Sequence, residues 1–327
     1  MAKDINVMVT SAGAGPAVAV IKALKRQNQL HVRIHAIDAN PLSAGLYLSD
    51  TYDIVPYANH PNFIPEVLKI CLNRKVDFIV PVFDVETPVF VQYKHDFETK
   101  GIRVLVNDME VIEICNNKLK TYEYCLTHGI LVPPVFTTDD IQNNRIIYPV
   151  IAKPVHGIGS QDMVLIRDAE EMHFWQQHIQ PQTLYQQFVN GPEYTVDTIS
   201  DLNGNFLAAV PRERIVVKAG QTVKGRVVGK PEFIEYSRKV VESFKIKGVG
   251  CLQFKQQNGE KYFIEMNPRY GTGISLSVGA GINMPLLHLK LALGKKIKDD
   301  ELIFEDGCTM LRYWEEIFLN EKEVLYR

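Results

Sequence analysis

Tyr148-Pro-Val-Ile-Ala-Lys-Pro-Val-His-Gly-Ile-Gly-Ser160 runs an apolar strand into a lysine and then into a glycine-rich loop. An ammonium held at a strand end can neutralise phosphate oxygens. Gly157 and Gly159 let backbone N–H groups approach an anion with no Cβ in the way. Taken alone, the stretch also reads as a surface strand with a glycine turn, so its surroundings decide.

Downstream lies Gln253, followed by Phe263-Ile-Glu-Met-Asn-Pro-Arg269. Glu265 and Asn267 are two apart in a strand and share a face, while Ile264 and Met266 fill the other. Two oxygen ligands beside Arg269 suit a magnesium-nucleotide, with hard oxygens on the metal and the guanidinium on phosphate. Gln253 adds a third oxygen only if an odd-length loop or a bulge interrupts Gln257–Glu260. A two-residue Asn258-Gly259 turn would send it to the opposite face.

Upstream, Asn117-Lys-Leu-Lys-Thr-Tyr122 opens a helix and presents Lys118. Between these stretches, Tyr185-Gln-Gln-Phe-Val-Asn-Gly-Pro-Glu-Tyr-Thr-Val-Asp197 ends one strand, turns, and starts another. Such a hinge can offer backbone groups to an adenine edge and Glu193 to ribose hydroxyls; an ordinary hairpin fits it too. In Pro211-Arg-Glu-Arg214, Arg212 and Arg214 share a face if the segment is extended. They can receive a substrate carboxylate, or pair with Glu213 or Glu232.

The amino-terminal region alternates strands at Ile5–Thr10, Val32–Ile37, Asp77–Pro81 and Ile102–Val106 with helices at Pro16–Gln27, Asn62–Arg74 and Thr87–Lys100. That alternation predicts βαβ units and a parallel sheet. Its first turn, Val9-Thr-Ser-Ala-Gly-Ala-Gly-Pro16, followed by Asp38, matches much of a dinucleotide fingerprint. However, the third fingerprint position is Val18, where close helix–strand packing needs glycine or alanine. A helical pattern over Asn107–His128 follows. The remainder is strand-rich, with Asn203-Gly204 and Asn258-Gly259 hairpin signals and helices near Asp168–His178 and Pro231–Phe244.

A lysine on a helix, KPxxGxGS, a hinge with GxEYTVD, then Q…ExNPR is an order that resembles the ATP-grasp family, in particular proteins akin to the carbamoyl-phosphate synthase large chain. The opening G-x-G turn, Asp38-Ala-Asn-Pro41 and Val80-Pro-Val-Phe-Asp-Val-Glu86 resemble the pre-ATP-grasp domain of such proteins, and the tail Met310-Leu-Arg-Tyr-Trp-Glu-Glu316 is similar to the group. The resemblance implies a Rossmann-like parallel α/β domain over 1–107, then an ATP-grasp fold of two α+β subdomains, a small lid subdomain over 108–187 and a metal-site subdomain over 188–327. It also implies ATP and Mg²⁺. Lys118 and Lys153 would contact phosphates, with Gly157, Gly159 and Ser160 in the mobile loop over them. Gln186, Phe188 and Val189 would flank the adenine and Glu193 would hold the ribose. Gln253, Glu265 and Asn267 would carry the metal, Arg269 would stabilise the transferring phosphoryl, and Arg212 would meet the acceptor. The implied reaction activates a carboxylate as an acyl phosphate for attack by an amine or other nucleophile. The rivals are an NAD-linked oxidoreductase and a nucleotide-binding regulator without catalysis.

Bulk properties set outer limits. The 327 residues carry a net charge of −2, with 46% hydrophobic and 23% charged residues, so no basic field points to nucleic acid or membrane. Five cysteines without a C-x-x-C pair, and nine histidines without ligand spacing, predict reduced thiols in a cytoplasm and no zinc or haem. Base rates for enzymes of this size favour a homodimer.

Overall fold

The computed structural model of the chain describes residues 4–157, 162–179, 182–320 and 324. Its first sheet is built by β1 (Ile5–Val9), β2 (Val32–Asp38), β3 (Thr51–Ile54), β4 (Phe78–Val80) and β5 (Arg103–Val104), in the order β3-β2-β1-β4-β5, all pairs parallel. Val7, Met8 and Val9 are fully buried, as expected of a central parallel strand covered on both faces. The connecting helices are α1 (Gly15–Arg26), α2 (Ala44–Leu48), α3 (Phe63–Arg74), α4 (Thr87–Gln92) and α5 (Lys94–Glu98). The helix expected over Thr87–Lys100 is therefore two short ones. The strand order reverses at β1, so the turns after β1 and β4 open side by side at a switch point. Buried Glu86 ties them together: it accepts from Thr10 Oγ1 and Ser11 Oγ on one turn and from the Val82 and Phe83 amides on the other.

Next come α6 (Met109–Cys115) and α7 (Lys118–Thr127). The single helix expected over Asn107–His128 breaks because Asn117 caps α7, its Oδ1 accepting from the Leu119 and Lys120 amides at 3.0 Å. Both helices share an apolar cluster with the large sheet described below, through Val111 and Cys125 against Val240, Phe254 and Phe263.

A small antiparallel sheet follows, in the order β6 (Val135–Phe136), β9 (Thr183–Gln187), β7 (Val150–Pro154), β8 (Val164–Ile166), with α8 (Thr138–Gln142) and α9 (Ala169–His178). Phe136, Val150, Ala152, Ile166 and Met172 make a core of its own.

The large antiparallel sheet has β10 (Glu193–Ser200) at its centre, between β11 (Phe206–Lys218) and β13 (Gly248–Gln257). β12 (Gln221–Val227) and β15 (Thr309–Leu311) extend it on one side, β14 (Glu260–Asn267) on the other. α10 (Pro231–Phe244) covers one face; α11 (Ile274–Gly279) and α12 (Met284–Ala292) connect it to the first domain. Val7, Val9 and Leu24 lie in one apolar cluster with Ile199, Val249 and Leu287, so the parallel domain and the large sheet share a core. Among the described residues no helix is long and apolar enough to cross a membrane.

Candidate active-site cleft

The large sheet sorts its side chains by parity. On β10, Tyr194 and Val196 enter the apolar cluster under α10, which leaves Glu193, Thr195 and Asp197 on the other face. Register then sets a row across four strands: Arg212 opposite Thr195, Thr195 opposite Gln253, Gln253 opposite Glu265. A neighbouring row runs from Asp197 through Cys251 to Asn267.

Gln253 reaches this face by a route the sequence reading misplaced. Asn258 and Gly259 adopt positive φ (52° and 84°) and make a two-residue turn, with Gln257 opposite Glu260 in regular register. The bulge comes later: Phe254 pairs with Phe263, but Gln253 pairs with Glu265, leaving Ile264 as the extra residue. That one ejected residue turns Glu265 and Asn267 to the same side as Gln253.

Apart from Asp197, the residues of these two rows line a cleft of about 710 Å³ between the large sheet, the turns of the parallel domain, and α7 with the segment that follows β7; Lys153 itself is not in the lining. Lys118, at the first position of α7, donates its amide to Val155 O and its Nζ to Gly157 O, each at 3.0 Å. Its pKa is lowered by burial, with Glu265 and Asp84 pulling the other way. Lys153 in β7 is only 4% exposed. Burial lowers its pKa to about 8; Glu265 partly offsets this and Lys118 adds to it. Two lysines from different elements therefore both feel the charge of Glu265. Arg269 holds the far wall: its Nε donates to Asp84 Oδ1 at 2.6 Å and its Nη2 to Asn267 Oδ1 at 3.0 Å. Burial opposes its charge, but Asp84 more than compensates and raises its pKa.

Several sequence candidates are already engaged. Glu193 accepts from both Arg214 Nη1 and Gln253 Nε2. Arg214 also donates to Thr222 Oγ1 and Gly220 O, so each of its three guanidinium nitrogens is engaged. Gln186 is buried and donates to Pro133 O at 2.9 Å. Phe188 stacks beneath Lys255, whose Nζ lies 4.6 Å from the ring centre and also donates to Val189 O. His156 and Gly157 line the cleft; Gly159 and Ser160 lie outside the described residues. Arg212 lies on the cleft wall, paired to Asp197 at 2.7 Å, both 1% exposed.

Asp84, Asp197 and Ser277 were not among the sequence candidates. Asp84 lies inside the Val80–Glu86 segment, yet its partner Arg269 is 185 residues away. The opening glycine turn also changes meaning. Asp38, the acid a dinucleotide ribose would need, accepts from the Gly13 and Asn40 amides at 2.8 Å each. It braces the turn.

Residues 180–311 match the family described as "ATP-grasp in the biosynthetic pathway with Ter operon", and residues 7–105 match "PylC-like, N-terminal domain". Residues 180–311 thus form an ATP-grasp region that follows a PylC-like amino-terminal domain. Among its relatives is the carbamoyl phosphate synthase large chain of Thermoanaerobacter sp. (strain X514), 24% identical over 306 residues, covering 88% of this chain and 28% of the relative. The C-terminal section of the same protein from Aquifex aeolicus is 24% identical over 262 residues, covering 73% of this chain and 48% of the relative. The chain thus spans between about a quarter and a half of these relatives' length. Solved structures of similar fold include a biotin carboxylase from Campylobacter jejuni complexed with β,γ-ATP (TM-score 0.73, 17% identity, 91% of this chain and 73% of that one). Another is N5-carboxyaminoimidazole synthetase from Staphylococcus aureus complexed with ADP (TM-score 0.72, 15% identity, 90% and 78%). A third is the biotin carboxylase domain of Hydrogenobacter thermophilus 2-oxoglutarate carboxylase, with MgADP and bicarbonate (TM-score 0.72, 19% identity, 91% and 72%). The parallel first domain and antiparallel ATP-grasp region agree with the fold class expected from sequence.

Proposed function

We propose that this protein is an ATP-dependent carbon–nitrogen ligase that activates a small carboxylate as an acyl phosphate and then joins it to an amine. The observation that carries this reading is the convergence on one cleft of Lys118, Glu265, Asn267 and Arg269, with buried Lys153 in the same electrostatic field. Lys118 and Lys153 would grip the triphosphate, and the β9–β10 hinge at Gln186, Phe188 and Val189 would hold the base, with Glu193 at the ribose. Arg269, oriented by Asp84, would meet charge developing on the phosphoryl group in transit.

The oxygens fit a magnesium ion that arrives with its nucleotide. Glu265 is one carboxylate among amide oxygens from Gln253 and Asn267, and no cluster of three His, Cys, Asp or Glu competes among the described residues. Bound there, the ion would supply neutralisation of phosphate charge. A substrate carboxylate oxygen attacks the γ-phosphorus and ADP leaves. The amine nitrogen then attacks the acyl carbon, loses its proton, and inorganic phosphate departs. No protein nucleophile is required, and the cleft cysteines fit that: burial pushes the Cys251 thiol up to about 12.

The test is ADP release from the full chain across small carboxylates paired with amines, with Lys153→Met and Glu265→Gln as controls. One pair should stimulate release, and either substitution should lower it by about two orders of magnitude or more. Stabilisation by NAD but not by Mg-ATP in thermal unfolding would overturn the reading.

A further inference from the structure

One end of the cleft carries more positive charge than the phosphates need. Arg212 donates through Nη2 to Asp197 Oδ1 at 2.7 Å, and Asp197's second oxygen is taken by Ser277 Oγ at 2.6 Å. Its Nε and Nη1 have no partner among the described residues, although the side chain is 1% exposed and faces the cleft. An orphaned buried guanidinium nitrogen is costly, so its retention points to something that fills the position. A Cβ on Gly273 would fall 1.8 Å from Arg212 Nη1, so the glycine backbone leaves the room this group occupies.

Next to it stands Arg312. Its Nη2 donates to Thr272 O at 2.8 Å and its Nη1 to Gln221 Oε1 at 3.3 Å, both neutral acceptors; no carboxylate pairs with it among the described residues. Burial and then the charge of Arg212 lower its pKa. Thr272 and Gly273 are consecutive, so one backbone segment brings the two guanidiniums together. The third wall is the amino-terminal end of α1. A Cβ on Gly15 would come 3.4 Å from Gln221 Oε1 and 3.9 Å from Arg312 Nη1. α1 has 12 residues, Ala14 at its cap with no side-chain cap bond, and no acidic residue in its first turn. Its partial positive charge is thus uncompensated and adds to that of the arginines.

We propose that Arg212, Arg312 and the start of α1 form an oxyanion pocket for a second, unreacting carboxylate or phosphate on the substrate whose other carboxylate is activated beside Arg269. The proposal rests on the ligase reading for which group reacts, and it narrows the substrate class: the acceptor is at least dianionic. A monoanionic acid would leave both arginines facing one another with Asp197 as their single counter-charge. Arg–oxyanion geometry, bidentate where possible, is the chemistry these orphaned nitrogens suit.

The experiment titrates the full chain, at fixed ionic strength, with propionate, succinate and 3-phosphonopropionate, with and without a non-hydrolysable Mg-ATP analogue. At least one two-anion probe should bind about tenfold or more tighter than propionate, the size expected of a charge-assisted contact. Whichever of succinate and 3-phosphonopropionate gains more identifies carboxylate or phosphate as the group held. Arg312→Gln should abolish the difference, while Arg145→Gln, a surface pair with Asp139 and Asp140, should keep it. Gly15→Asp supplies an internal carboxylate to Arg312 and to the helix end. It should remove the preference while leaving the melting temperature unchanged or raised, which separates pocket loss from misfolding. Equal binding of propionate and both two-anion probes, or a preference that survives Arg312→Gln, overturns the pocket. ADP release with monocarboxylates alone also overturns it and keeps the ligase. An Arg312-dependent preference without ADP release from any acid keeps the pocket and overturns the ligase.

Discussion

Lys153 sits among charges that set a measurable pH window. Its folded pKa of about 8 lies below the lysine value of 10.5 because burial disfavours the ammonium, and Lys118 adds to this while Glu265 partly offsets it. A triphosphate prefers the protonated form. In the free protein that form is dominant below pH 8 and lost above it, whereas an ordinary lysine would keep its proton to beyond pH 10. Affinity for Mg-ADP should therefore be flat near neutrality and weaken above about pH 8, approaching tenfold per unit, with a proton taken up on binding. Calorimetry in buffers of different ionisation enthalpy reads both effects. Lys153→Arg, which stays charged, should flatten the profile; a break that persists in this variant assigns it to another group.

The helix α7 shows how one cap positions a site residue. Asn117 Oδ1 satisfies two amides that would otherwise be orphaned, and this fixes Lys118 at the first helical position against Gly157 O. Asn117→Ala should cost about 1 kcal/mol of stability. It should also weaken Mg-ADP binding several-fold, read by thermal unfolding with and without nucleotide; destabilisation with unchanged nucleotide affinity would detach the cap from the site. Elements of this kind were partly legible. α10 runs Pro231–Phe244, where the sequence predicts a helix, and the central strands announced themselves by apolar runs. The edge strands β3 and β15, and β12 between β11 and β15, were not foreseen, because short or mixed strands carry no clean alternation: Thr51–Ile54 is half-buried along most of its length. The bulge at Ile264 escaped too. Periodicity shows that a face must switch, but where the extra residue is ejected depends on packing of Phe254 against Phe263, which is tertiary information.

At the scale of the whole molecule, the parallel domain takes part in the cleft and is not merely attached to it. Lys153, Gln253, Glu265, Asn267 and Arg269 are candidates from local spacing, and Lys118 from the order of motifs that carries the resemblance. Their supports could not be read in this way, because Asp84 and Arg269 meet only when the turn after β4 is folded against the end of β14. Asp84 and Arg269 side chains are 9% and 15% exposed, so the pair is largely shielded from solvent. Removing the acid strands a guanidinium there, and Asp84→Asn should cost roughly 2–4 kcal/mol, a fall of several degrees in melting temperature for a chain this long. The same substitution should lower kcat while leaving the KM for ATP nearly unchanged, because Arg269 is lost as an oriented group for the phosphoryl in transit while the lysines that hold the triphosphate are kept. Asp84→Glu, which restores the charge, should recover part of both. If Asp84→Asn destabilises the protein but leaves kcat intact, the contact is a structural latch between the domains and Arg269 needs no orienting partner. If kcat falls and Asp84→Glu restores it, the parallel domain supplies a positioning residue to the chemistry of the ATP-grasp sheet.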